Sequence, residues 1–419
     1  MTNYQNFLRI WFGQLISMIG TGLTLFSLGV YVYQLTGTTS SYVFILMCVF
    51  LPQFLLKPYG GILADSNNRL WMMIISDLGA TLGILFIFGI LLFGDLQLWH
   101  IYLGLGLSSL FGAFQQPAYK ALATDLLTKD EYGKASGLMQ LASSSQYLIS
   151  PLLAGILLSI VDLNYIFAID LVTFFTATII TITISKTLII PKLPKIKHRN
   201  IIGEFKIGLK EFTKHKGVVN LVITTTFILF FVGMIQSLFV PMLLNITNVK
   251  NAGIIQSLCA FGILLGSGFI GVFNKTSNYN KSLIISLFIG GIFFAGIGLS
   301  TYILVIIISG IAFFATLPFI NTSIEVLIRN NISNEKQGRV WAIISNVTYL
   351  GSILAFAVSG FLADKVFTPL VENRKNILGS GAGRGIGMMF VVSGIMIVII
   401  SIFIMYNQNI KNLEVQSTN

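Results

Sequence analysis

Charge is what this chain has least of. Only 10% of its 419 residues are Asp, Glu, Lys or Arg, against about a quarter in a soluble domain, so a water-solvated globule is excluded at the outset. Cysteine is nearly absent. Cys48 and Cys259 both fall inside apolar runs, which excludes a disulfide framework and a thiolate metal cluster and leaves two small buried apolar residues. The three histidines, His100, His198 and His215, lie in or beside loops without metal-ligand spacing. No Gly-x-x-x-x-Gly-Lys-Ser/Thr loop occurs to cradle a nucleotide phosphate, and no His, Asp and Ser converge at one depth as an intramembrane enzyme requires. No cofactor and no enzymatic activity are expected.

Apolar length is what the chain has in abundance. Hydrophobic residues make up 55%, and runs of about 20 residues, enough to cross a hydrocarbon core, recur twelve times, at about 8–33, 41–63, 70–93, 98–122, 136–160, 164–186, 217–244, 252–273, 282–299, 302–325, 340–362 and 384–406. These predict an all-α integral membrane protein. The first run is too long for a signal-peptide core and lacks a small-residue cleavage pattern, so it reads as an uncleaved helix. The net charge of +11 is decided by where it sits. With a cytoplasmic N-terminus, twenty of the 26 Lys and Arg fall inside, five outside, and Lys57 within a helix. This is the positive-inside pattern. It places both termini in the cytoplasm of a multi-pass protein of the cell membrane, with the anionic inner leaflet as counter-charge and no nucleic-acid partner.

Residues 187–216 form the one long interior polar segment, basic throughout, and divide six helices (1–186) from six (217–419). Within it Ile201, Ile202, Phe205, Leu209 and Phe212 recur at helical spacing while Lys206, Lys210 and Lys214 line another face, which predicts an amphipathic helix on the cytoplasmic leaflet. Six plus six invites a search for repeats. Pro117 precedes a loop with Asp130 and Glu131, and Pro318 precedes one with Asn334 and Glu335, offset by about half the chain. Glycine, 40 residues, lies mainly inside helices, where it serves static packing and sliding surfaces equally well.

Residues 60–69 read as a short polar turn between helices two and three, with Gly61 for close approach, Asp65 as an acceptor at a helix end and Arg69 as a fixed charge. Pro52 and Pro58 are expected to loosen helix two just before it, and Pro151 to kink helix five near 147–151. Here the chain resembles the major facilitator superfamily. Gly61-Ile-Leu-Ala-Asp65 with Arg69 is similar to its signature loop, although Ser66, Asn68 and Leu70 stand where the family usually has basic, Gly and basic residues. Phe114-Gln-Gln-Pro117-Ala118 with Ala135, Gln337-Gly338-Arg339-Val340 and Gly360-Phe-Leu-Ala-Asp364 resemble the branch of macrolide-efflux and siderophore exporters among drug-proton antiporters. Ser150-Pro151-Leu-Leu-Ala154-Gly155 is similar to the antiporter motif of helix five, with Ser and Ala replacing two glycines. The resemblance implies two six-helix bundles, a cytoplasmic gate at Gly61, Asp65, Arg69, Gly338 and Arg339, and a functional kink at Pro151 and Gly155.

Ionisable groups inside membrane helices are functional candidates by default. Lys57 and Asp77 lie at similar depth on helices two and three, where they form an ion pair or leave Asp77 free to carry a proton; Asp170 lies on helix six, nearer the outside. In the superfamily plan the cavity is lined by helices one, four, seven and ten. Those helices offer Gln14, Met18, Phe111, Gln115, Phe227, Phe231, Met234 and Asn321, apolar and aromatic area with sparse amides and no central carboxylate. The expectation is a monomeric secondary transporter exporting small amphiphilic compounds, macrolide-like drugs among them, by alternating access in exchange for protons. A lipid or lysophospholipid flippase, a siderophore exporter and a non-transporting receptor or structural protein are the alternatives.

Overall fold

The computed structural model describes residues 3–187, 201–273, 278–332, 337–372 and 383–415. In chain order its helices are α1 (Asn3–Thr36), α2 (Thr39–Ser66), α3 (Arg69–Phe93), α4 (Leu98–Leu126), α5 (Tyr132–Leu148), α6 (Ser150–Leu157), α7 (Leu163–Thr187) and α8 (Ile201–Lys214). There follow α9 (Lys216–Leu244), α10 (Val249–Phe273), α11 (Tyr279–Leu299), α12 (Ile303–Asn330), α13 (Gln337–Phe361), α14 (Thr368–Glu372), α15 (Arg384–Tyr406) and α16 (Gln408–Val415). Ten of them are long and apolar enough to cross a membrane. Helix α4, which carries Gln115, Gln116, Lys120 and Asp125, and the α5–α6 pair do not reach that measure, so the sequence count of twelve exceeds the ten that apolarity alone supports.

The chain divides into two compact units. One comprises Met1–Gly37, Phe44–His198 and Val249–Ser257; the other comprises Thr38–Val43, Arg199–Asn248 and Leu258–Asn419. Most of the linker expected between two bundles, 188–200, lies outside the described residues, and α8 begins just after it.

In the first unit, α1 runs antiparallel to α7: Gly13 faces Ala177, and a Cβ on Gly20 would fall within 3 Å of Thr173 and Asp170 side-chain oxygens. Helices α3 and α4 cross where Gly83 meets Gly104, each carbonyl lying where the other's Cβ would stand. In lipid, where apolar surface gains nothing by leaving solvent, such backbone approach supplies the packing that holds helices together. The second unit repeats the device where Gly291 of α11 meets Gly394 of α15. Its C-terminal α16 is also tied down. The Glu414 carboxylate accepts from the Tyr279 and Asn280 backbone N–H groups at the start of α11, and Asn331 at the end of α12 donates to the Leu413 carbonyl. Free donors at a helix start and free carbonyls at a helix end are thereby satisfied.

Proline acts differently at different sites. At Pro151 the helix breaks, with Ile149 between α5 and α6 and the proline in the first turn of α6. At Pro52 and Pro58 the sequence led us to expect loosening, yet α2 runs unbroken from Thr39 to Ser66. A membrane helix tolerates a lost hydrogen bond where neighbouring groups re-satisfy the carbonyl, and α4, α9 and α12 likewise continue through Pro117, Pro241 and Pro318. The polar turn expected over 60–69 is correspondingly short. Residues up to Ser66 are helical, and Asn68 starts α3 as its N-cap, its side-chain oxygen accepting from the N–H groups of Leu70 at 3.0 Å and Trp71 at 3.2 Å. That role accounts for Asn where the family usually has Gly.

Candidate functional site

Three of the residues singled out from sequence meet inside the first unit. Gln14 of α1 and Asp77 of α3 are 1% and 3% exposed, and the Gln14 amide donates to the Asp77 carboxylate at 3.3 Å. Gln115 of α4 donates in turn to the Gln14 side-chain oxygen. A buried carboxylate is thus linked through the Gln14 amide to Gln115, a half-buried residue on α4. The hydrogen bond that Asp77 accepts comes from Gln14 of α1 rather than from Lys57. Equal depth along two helices leaves open which way each side chain faces.

A cavity of about 430 Å³ opens in the same unit, lined among others by Met18, Gln116, Tyr119, Lys120, Tyr132 and Gln140. Met18 lies one turn along α1 from Gln14, and Gln116 follows Gln115. The volume suits a small-molecule site. Tyr119 is 2% exposed, its ring stacks on Phe7 at 6.5 Å, and its hydroxyl has no hydrogen-bond partner. A buried hydroxyl left unsatisfied is costly, and here it belongs to a side chain lining a cavity. Lys120 is the one charged residue among the described residues lining it. Neither Tyr119 nor Lys120 stood out in the sequence; both lie within one turn of Pro117, and that spacing was the available signal.

The other cavity candidates scatter. The Phe111 ring occupies the space over Gly79 of α3, where a Cβ would lie 2.2 Å from it, so it packs two helices together. In the second unit Phe227 is 56% exposed, Phe231 is buried with its ring 5.4 Å from that of Phe230, and the Met234 sulfur accepts from Ser393 at 3.4 Å. Asn321 of α12 is exposed. Asp170 is fully buried on α7, taking a hydrogen bond from Thr24 at 2.5 Å.

Of the gate residues, Gly61 has open space around it. The side chains of Asp65, Gly338 and Arg339 lie outside the described residues, although their backbones are helical. Arg69 is buried. Its Nε donates to the Ala64 carbonyl at 3.2 Å and its Nη1 to the Ala121 carbonyl at 2.8 Å, and it forms an ion pair with Asp125. One guanidinium therefore joins the end of α2, the start of α3 and the end of α4. Pro151 and Gly155 face the first turns of α10: a Cβ on Gly253 would lie 2.2 Å from the Pro151 carbonyl, and one on Gly155 3.2 Å from the Gly253 Cα.

Sequence also drew attention to Gly360 and Asp364 without a role. The structure supplies one within the second unit. The Asp364 carboxylate accepts from the Thr39 N–H at 3.0 Å, the Ser40 N–H at 2.8 Å and the Ser40 hydroxyl at 2.6 Å. One turn earlier, Gly360 lets the Ser40 backbone approach, since a Cβ there would lie 2.6 Å from the Ser40 Cα. A π-helical turn over Leu362–Phe367 sets the carboxylate's direction. A carboxylate on free helix-start donors is a charge-assisted N-cap. Asp364→Ala is expected to cost about 0.5–2 kcal/mol and to speed amide hydrogen exchange at Thr39 and Ser40, with Asp364→Asn intermediate. Unchanged exchange in the alanine variant would show that the cap contributes nothing.

The family can now be decided. The sequence model of the Major Facilitator Superfamily matches residues 10–356. The chain belongs to that superfamily. It is 26% identical to macrolide efflux protein A of Streptococcus pyogenes, over 99% of this chain and all of that protein. It is 28% identical to macrolide efflux protein A of Enterococcus faecalis over 72% of this chain and 94% of that protein. Among solved structures the nucleoside transporter NupG aligns with a TM-score of 0.73 at 15% identity, covering 96% of this chain and all of the other. A bacterial homologue of the iron transporter ferroportin, in an inward-facing state, aligns at 0.72 and 13% identity over 97% and 100%. At such identities the structural likeness speaks to the superfamily fold alone. This is therefore a multi-pass membrane protein and a secondary transporter, not an enzyme.

Proposed function

We propose that this protein exports small amphiphilic compounds, of macrolide-like size, from the cell across its cytoplasmic membrane in exchange for protons. One observation carries the reading. Helix α4 lines a drug-sized cavity with Tyr119, whose hydroxyl is unsatisfied among the described residues, and carries Gln115, which bonds through Gln14 to the buried Asp77 carboxylate. The full-length likeness to macrolide efflux protein A supports the substrate class. Helix α4, 29 residues and about 43 Å long, and the α5–α6 pair complete twelve spans, with both termini cytoplasmic by charge distribution. The protein works as a monomer by alternating access. Gly61, Asp65, Arg69, Gly338 and Arg339 form the cytoplasmic gate, and the break at Pro151 with Gly155 is a hinge.

Within the cavity Met18 and the tyrosine rings offer apolar area, while Tyr119, Gln116 and Gln140 offer hydrogen bonds to carbonyl and hydroxyl groups. Lys120, a cation lining it, also supports a second reading, an anionic lysolipid flipped between leaflets.

Proteoliposomes test both readings. With an imposed pH gradient, erythromycin accumulates on the acidic side and fluorescent lysophosphatidylglycerol does not cross. Lysolipid movement without erythromycin transport selects the second reading. Erythromycin equilibration indifferent to the gradient removes the antiport while leaving facilitated export.

A further inference from the structure

Helix α1 carries a polar stripe that the transport reading leaves unused. Gln14, Ser17, Thr21, Thr24 and Ser27 follow one another at intervals of three or four residues, so each stands about one turn from the next along one side of the helix. All but Thr21 are buried. In a bundle where every unsatisfied polar group is costly, a row of five on one helix needs an explanation. Its ends supply one. Gln14 touches Asp77 of α3, and Thr24 touches Asp170 of α7. Two buried carboxylates on different helices thus bond to the same face of α1, at positions ten residues and about 15 Å apart along its axis.

Asp170 is built like a site rather than a weld between helices. It is fully buried, and one carboxyl oxygen meets only the Thr24 hydroxyl while the other, Oδ1, has no hydrogen-bond partner. Among the described residues no ion pair to it is found. On α1 the ionisable residues are Tyr4, Arg9, Tyr31 and Tyr33, on α3 they are Arg69 and Asp77, and on α7 itself Tyr165 and Lys186, none of them a partner of Asp170. An ionised carboxylate desolvated without a counter-charge is expensive, and taking up a proton removes the expense. On α1 the Ser27 hydroxyl, one turn from Thr24, is also buried and without a hydrogen-bond partner among the described residues.

We infer that Asp170 is a second proton-binding site, and that the stripe of α1 carries protons between it and Asp77 through the interior of the first unit. The inference rests on the proton-exchange reading above. A proton arriving from the α7 start binds Asp170, which lies seven residues, about 10 Å, from that helix end. It then passes along the Thr24, Thr21 and Ser17 hydroxyls and bridging water. Each hydroxyl accepts one proton on its oxygen and gives up another, so all are left unchanged. The proton reaches Asp77, whose carboxylate Gln14 orients, and leaves toward the α3 start. The substrate cavity is not on this route, so proton and substrate need not compete for one place.

Infrared spectroscopy on the purified full-length protein tests the site without any substrate. The wild type is expected to show two protonated-carboxyl C=O bands. One is absent in Asp170→Asn, and the other, that of Asp77, gains its proton more slowly after acidification on the α7-start side of reconstituted vesicles when Thr21→Val and Ser17→Ala interrupt the stripe. Both Asp170→Asn and Asp170→Glu are used, so that a folding failure in one leaves the other to report. Absence of any band sensitive to Asp170 at every pH overturns the site, and protonation of Asp77 unaffected by the stripe variants overturns the route. Gradient-driven erythromycin uptake in the same preparations separates the two levels. If wild type shows no coupling, the antiport reading fails and the carboxyl bands still decide the site. If wild type is coupled and Asp170→Asn equally so, Asp170 has no part in coupling and the inference fails alone.

Discussion

Asp77→Asn is expected to abolish gradient-driven accumulation while leaving substrate exchange intact. Asparagine matches aspartate in shape and keeps a side-chain oxygen that accepts from the Gln14 amide, so the hydrogen bond from α1 to α3 survives and the bundle is not disturbed. What is lost is the capacity to bind and release a proton. One proton moving down a gradient of one pH unit supplies about 1.4 kcal/mol, which sustains about a tenfold concentration ratio of a neutral substrate. In the variant that ratio falls to about one, whereas counterflow of labelled against unlabelled substrate, which needs no net proton movement, continues. The relevant measurement is the steady-state ratio in proteoliposomes alongside the counterflow rate. Asp77→Glu, which restores the carboxyl, is expected to recover part of the ratio. A variant that still holds a tenfold ratio would show that Asp77 is a structural acceptor for Gln14 and that coupling resides elsewhere.

The membrane class was legible because composition and run length act through a bulk property, the cost of polar groups in hydrocarbon. The break near Pro151 was legible for a local reason, the missing donor. Side-chain partners were not. Lys57 and Asp77 were matched by depth, which counts residues along a helix, but partnership depends on azimuth, and that is set by which helices α2 and α3 pack against. Asp77 turned to Gln14 of α1. Asp125 was passed over for the same reason. It looks like an ordinary loop-end acid until α3 and α4, crossing at Gly83 and Gly104, bring it to Arg69. The packing of Phe111 over Gly79 was not legible, because an aromatic ring facing a glycine on the next helix and one facing a cavity have the same sequence signature. Gly360 and Asp364 were recognised only by resemblance, since their partner lies more than 300 residues away.

Arg69 marks how far the gate can be probed before the fold gives way. Arg69→Ala removes a guanidinium that serves two carbonyls on different helices and a carboxylate. It leaves Asp125 without its ion-pair partner and the Ala64 and Ala121 carbonyls without that donor. Arg69 is buried but Asp125 is exposed, so losing the ion pair together with the charged donor to two carbonyls costs about 1–3 kcal/mol, a sizeable part of a typical stability of about 5–15 kcal/mol. The expected result is low yield and a thermal midpoint in detergent lowered by several degrees, independent of any gradient or substrate. Arg69→Lys keeps the charge but has no planar fork to reach three acceptors at once, so it falls between. The double variant Arg69→Met with Asp125→Leu removes both charges and is expected to recover much of the loss, because no carboxylate is then left stranded. Recovered folding with transport still absent would assign Arg69 to the gate as well as to the fold. Should Arg69→Ala keep a wild-type midpoint and lose only turnover, the residue is a gate element and the ion pair contributes little to stability.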